Sequence, residues 1–93
     1  MKITNHAYEK AKERLSWKAD VIEKMAEIAL NEGISHSDTK GKLKRYITKL
    51  YLSHRTSNNI RIYGQNIYFF LGDTLITIYR VPTNLIKYLK NYN

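Results

Sequence analysis

The sequence predicts a single α+β domain: about three N-terminal helices packed on a three-stranded antiparallel β-meander, with a short C-terminal helix. Three observations predict it. Residues 59–81 read NIRIYG-QNIYFFLG-DTLITIYRV, three runs rich in β-branched and aromatic residues, with Gly64-Gln65 and Gly72-Asp73 where two tight turns must lie. Upstream, apolar residues recur at helical spacing rather than in alternation. A chain of 93 residues supplies one modest core and no second one, so every element must share one sheet.

Thr4 or Asn5 caps a first helix from about His6 to Leu15 or Trp17, with Ala7, Ala11 and Leu15 as a narrow apolar stripe. Beside that stripe, His6, Lys10 and Arg14 share the same four-residue spacing and line one side of the helix. The pattern breaks at Ser16 and Trp17. A second helix from about Lys18 or Ala19 to Asn31 packs through Val21, Ile22, Met25, Ala26, Ile28 and Ala29, and Gly33 stops it. Residues 34–41 (ISHSDTKG) read as a loop, with His36 on its surface. A third helix, from about Thr39 or Lys42 to Leu52, places Leu43, Tyr46, Ile47, Leu50 and Tyr51 on a buried stripe. The polar SHRTSN stretch leads into the first strand and sets His54 and Arg55 at the mouth of the sheet. After Val81, Pro82 ends the last strand, and Thr83 caps a terminal segment with Leu85, Ile86 and Leu89 on one side.

Strict alternation puts Ile60, Ile62, Ile67, Phe69, Leu71, Ile76 and Ile78 on one face of the meander, which is its core. Asn59, Arg61, Tyr63, Tyr68, Phe70, Thr77 and Tyr79 then form a tyrosine-rich second face, open to a partner.

Composition narrows the partner. Sixteen Lys and Arg against eight Asp and Glu give a net charge of +8, a strong bias toward polyanions, with nucleic acid foremost. The excess begins at Lys40: Lys40, Lys42, Lys44, Arg45 and Lys49 follow with no acid between Asp38 and Asp73 to neutralise them. The absence of cysteine excludes disulfides, thiolate zinc sites and a cysteine nucleophile, and three scattered histidines make a poor metal site. No cofactor is implied. No apolar run approaches the roughly 20 residues of a membrane span, so the expectation is a soluble, cytoplasmic protein without a membrane partner.

Two stretches carry a resemblance. NHAYEKAKERL is similar to the His-x-x-x-(Arg/Lys)-x-x-x-Arg helix, and YGQNIYFFLGDTLITIYRVP to the closing hairpin, of phage and toxin members of the small colicin/RelE-type endoribonucleases, grouped with barnase and EndoU. The resemblance implies metal-independent RNA cleavage. His6 is then the base or acid, Lys10, Arg14 and Arg61 stabilise the phosphate, and Thr77 and Tyr79 form a hydrogen-bonding wall. Lys40, Lys42, Lys44, Arg45, Lys49, His54, Arg55, Tyr63 and Tyr68 are the expected nucleic-acid contacts. An antitoxin-like inhibitor or a host complex is a further expected partner. The competing expectation is a non-enzymatic phage or plasmid protein that grips nucleic acid, or blocks a nucleic-acid-handling complex, through the same surface. A third is a tyrosine-lined oligomer interface.

Overall fold

The computed structural model describes residues 1–92, and among these a five-stranded mixed sheet carries helical segments on both faces. In chain order the elements are β1 (Lys2–Ile3), α1 (Asn5–Leu15), α2 (Ala19–Glu32), β2 (Ile34–Ser35), a 3-10 turn (His36–Asp38), α3 (Gly41–Tyr51), β3 (Asn59–Tyr63), β4 (Asn66–Leu71), β5 (Thr74–Arg80) and a terminal 3-10 segment (Thr83–Tyr92). The spatial order is β1-β5-β4-β3-β2. β1 runs parallel to β5, and every other neighbouring pair is antiparallel.

The expected three-stranded antiparallel meander is therefore overturned. Its sheet gains a parallel strand at one edge and an antiparallel strand at the other, and the helices are split between its faces. The two added strands are two residues each, too short to show an alternation of their own. They exist because the long strands leave edges that the chain covers as it enters α1 and leaves α2.

Thr4 joins the first of these edges to the first helix. Its hydroxyl accepts a hydrogen bond from the Ala7 N–H at 3.0 Å, capping α1, and donates to the Ile76 carbonyl at 3.2 Å. α1 ends at Ser16, a non-glycine residue at φ 58°, whose N–H returns to the Lys12 carbonyl. That left-handed residue is the break between the first two helices. Gly33 ends α2 for a different reason: a Cβ there would lie 2.5 Å from the Ala29 carbonyl oxygen and 2.9 Å from Arg61 Cβ. The chain passes too close to helix and sheet for any side chain.

The second face of the sheet is not open. Tyr68 and Phe70 are fully buried against Ala7 and Ala11 of α1 and Ile22, Ala26 and Ala29 of α2, together with Leu75 and Ile78. Small side chains bring the helices near the sheet, and two large rings fill the remaining space. On the other face, Leu43 and Ile47 of α3 and Leu85 of the terminal segment cover Ile60, Ile62, Ile67, Phe69 and Val81.

The phase of β5 is also corrected. Phe69 faces Thr77 but Phe70 faces Leu75, so the ladder slips by one residue at Ile76. Thr77 pairs with Phe69 and Tyr79 with Ile67, which puts both on the α3 side. Ile78 pairs with Tyr68 and turns to the α1–α2 side. Strict alternation assigns all three to the opposite faces.

Candidate functional site

β1 covers the outer edge of β5 only at Thr74 and Leu75. Beyond the bulge, Arg14 takes over. From the last turn of α1, its Nη1 donates to Thr77 Oγ1 at 3.2 Å and to the Ile78 carbonyl at 2.9 Å, and its guanidinium carbon lies 3.9 Å from the centre of the Tyr79 ring. A cation thus wraps from one face of the sheet to the other around a free strand edge. Thr77 is fully buried, so its hydroxyl needs that donor. A guanidinium has five N–H donors. With both on Nη1 committed, the Nε–Nη2 edge of Arg14 keeps the fork that fits a phosphate bidentately.

His54, in the turn between α3 and β3, completes the cluster. Its Nε2 lies 2.6 Å from the Tyr79 hydroxyl, and its ring sits 5.4 Å from the Phe69 ring and 5.6 Å from that of Tyr79. Burial, then the charge of Arg14, then that of His6 hold His54 below its ordinary value of 6.5. It is therefore neutral at pH 7, able to take up a proton. Tyr46 of α3 closes the group: burial first, then the Tyr79 phenol, raise it, with Arg14 opposing.

Of the residues singled out from sequence, the fold brings Arg14, Thr77, Tyr79 and His54 into one contact network, with His6 within electrostatic reach. His6 is exposed at the start of α1. Lys10 is half-buried one turn on, its Nζ 3.5 Å from Glu13 Oε2. Arg61 does not join them. It pairs with Tyr68 on the α1–α2 side, two strands from β5, where its Nη1 donates to the Gly33 carbonyl and its Nε to Asn59 Oδ1, both at 2.9 Å. Arg61 is a structural tie between β3 and the end of α2, which corrects its expected phosphate role.

Tyr68 is likewise removed from the expected contacts, since it is fully buried and burial pushes its phenol far above the ordinary range. Its hydroxyl and Asn66 Oδ1 have no hydrogen-bond partner among the described residues. Tyr63 packs half-buried against the same core. Lys40, Lys42, Lys44, Arg45 and Lys49 are exposed along α3, and Arg55 is exposed on the turn that carries His54. Sequence reasoning placed His54 among the contacts without its link to Tyr79, and it missed Tyr46. The alternation that sends Tyr79 to the wrong face hides both relations.

Charge follows the layers. The α1–α2 layer carries Glu9, Glu13, Asp20, Glu23, Glu27 and Glu32 against Lys10, Lys12, Arg14, Lys18 and Lys24, close to balance. From His36 to Arg55 and along the terminal segment, the cations Lys40, Lys42, Lys44, Arg45, Lys49, Arg55, Lys87 and Lys90 face only Asp38. The cluster lies where the basic layer meets the edge of β5. No group of three or more His, Cys, Asp or Glu side chains able to hold a metal occurs among the described residues, and no described helix is long and apolar enough to cross a membrane. Comparison of the chain with protein-family models, with curated proteins and with solved structures gives no match.

Proposed function

We propose that this chain binds RNA through its α3 layer and cleaves it without a metal at the Arg14–Tyr79–His54 cluster, in the manner of the small RelE-type endoribonucleases it resembles in sequence. The observation that carries the reading is the single network in which a half-free guanidinium, a buried threonine, a phenol and a neutral imidazole meet at an open strand edge beside an acid-poor basic layer.

In this reading a phosphodiester binds the Nε–Nη2 edge of Arg14. His54 takes the proton of the ribose 2′-hydroxyl, whose oxygen attacks phosphorus while the bond to the 5′ oxygen breaks. Arg14, with Lys10 further along α1, stabilises the charge that develops on the phosphoryl oxygens. His6 is the second titratable ring and protonates the leaving oxygen. The products are a 2′,3′-cyclic phosphate and a 5′-hydroxyl end. Lys42, Lys44, Arg45 and Lys49 hold the flanking backbone, which makes binding strongly salt-dependent.

A labelled single-stranded RNA incubated with the protein in EDTA at low salt tests this. Cleavage that falls by at least about 100-fold in His54→Ala, and also in Arg14→Lys, is the expected result, since general-base catalysis typically contributes 10²–10⁴-fold and lysine lacks the fork. Cleavage unaffected by either substitution moves the chemistry elsewhere. Intact RNA bound in a salt-sensitive way leaves the second reading, a non-enzymatic nucleic-acid binder. One observation favours that alternative: His6 has no hydrogen bond orienting it among the described residues.

A further inference from the structure

Where α2 ends, β2 pairs with β3 at Ile34–Ile62 and Ser35–Arg61, and a cleft of about 300 Å³ lies between that corner and the terminal segment. Its walls include three apolar side chains, Ile34, Ile62 and Leu89, two rings, Tyr63 and Tyr92, and one carboxylate, Glu32. Both rings are half-buried, and Glu32 is exposed. The Tyr92 ring is fixed from outside, since its hydroxyl accepts the Lys40 N–H at 2.8 Å. Tyr92 also lines a second cleft, beside Lys40 and Gly41, so it stands as the partition between the two. Its hydroxyl is committed to the start of α3, which leaves the ring itself as the wall.

The end of α2 is an unfavourable place for a carboxylate. A helix C-terminus carries partial negative charge of its own, and α2 has no basic residue in its last turn to offset it. Glu32 adds a full charge there. It makes no ion pair among the described residues, where the pairs formed are the amino group of Met1 with Asp73 and Lys10 with Glu13. In a chain of net charge +8, an acid left without a cation is the exception. Aromatic rings with negative faces, a free carboxylate and apolar walls together attract a cation carried on an apolar stem.

We infer that this cleft binds an organic cation of the alkylguanidinium or alkylammonium class. The charged head pairs with Glu32 beside the rings of Tyr63 and Tyr92, and the stem lies along Ile34, Ile62 and Leu89. Heads that carry N–H groups are favoured over quaternary ammonium, because the carboxylate then gains hydrogen bonds as well as charge. The volume is at the lower end of small-molecule sites and suits one short amine or one basic side chain. The cleft lies on the β3–β2 side of the sheet, with β4 between it and the β5 edge that Arg14 crosses. It does not depend on the RNA reading.

NMR titration of the full chain with butylguanidinium and with butylurea, its neutral counterpart, tests the cleft. Butylguanidinium is expected to shift the ring signals of Tyr63 and Tyr92 and to bind about fivefold more tightly than butylurea. Glu32→Gln alters an exposed side chain without changing its shape and is expected to abolish that preference. Tyr63→Leu is expected to weaken butylguanidinium by a similar factor. If Tyr63→Leu fails to fold, the comparison of the two butyl compounds makes the test on the unaltered protein. Spermidine and a blocked Gly-Arg-Gly peptide present the same class of head on a free amine and on a polypeptide, and the tighter binder names the source. Equal binding of the two butyl compounds, a preference that survives Glu32→Gln, or no shift at either ring overturns the cleft. No arm contains RNA, so that failure leaves the RNA reading standing, and RNA left unbound and uncut leaves the cleft standing.

Discussion

On the α1–α2 side of the sheet, alanines of two helices meet the rings of Tyr68 and Phe70, while on the α3 side Leu43 and Ile47 meet Phe69 and three isoleucines. Both sides are covered. Outside, they differ: the first is nearly balanced in charge, and the second carries almost the whole positive excess. One layer serves to close the core, and the other closes the core while presenting cations. The difference teaches that covering both faces of a sheet does not leave it without an accessible surface. The surface moves to the edge, where Arg14 crosses from the balanced layer to the basic one.

The separation is best broken from its stable side. Phe70→Ala opens a large cavity under α1 and α2 and is expected to cost about 3–5 kcal/mol, read as a lower midpoint in urea. Arg14→Ala should act on both sides at once. It strands the buried Thr77 hydroxyl and removes charged hydrogen bonds, for an expected loss of about 1.5–3 kcal/mol. Retention of full stability would show that the edge network is not structural. On the basic side, Lys44→Gln with Arg45→Gln should change stability by no more than about 0.5 kcal/mol. The pair should also lower the slope of log affinity for single-stranded RNA against log salt by about 0.7 for each phosphate left without its cation. An unchanged slope would take α3 out of the interface.

The smallest expected effect is on pH dependence. His54 titrates below its unfolded value of 6.5 in the folded chain, so the unfolded chain binds the proton more readily. Its contribution to stability is complete above pH 6.5 and declines as the pH falls from there toward the folded value. His36, lowered chiefly by burial, acts in the same direction. Urea midpoints at about pH 7.5 and about pH 5.5 should therefore converge somewhat in His54→Gln, with His36 supplying the remaining difference.

The helices were legible because their apolar residues recur at the right spacing and their ends carry chemistry of their own: Thr4 caps α1, and α2 stops before Gly33. The partners of those helices were not legible. Tyr68 and Phe70 read as an exposed aromatic face because an isolated alternation cannot say which side a helix will cover, and alanine stripes are weak hydrophobic signals. The strand edges were hidden because two-residue strands have no pattern. The site was half legible. Arg14, Thr77 and Tyr79 were named from the resemblance and do meet, but the slip at Ile76 reverses the face on which the last two lie. Arg61 was drawn in by that same reversed face. Its true partners, a carbonyl and a neighbouring asparagine, leave no trace in spacing.

The pairing of β1 with β5 sets a timetable for synthesis. Thr4 and Ile76 are 72 residues apart in the chain, and at about 5–20 residues per second a ribosome spends roughly 4–14 s between them. Throughout that interval the row of α1 that ends in Arg14 has no strand edge to dock on. Helices made earlier must wait for strands made later, so the edge network of Arg14 and Tyr79 is assembled only once β5 has been synthesised.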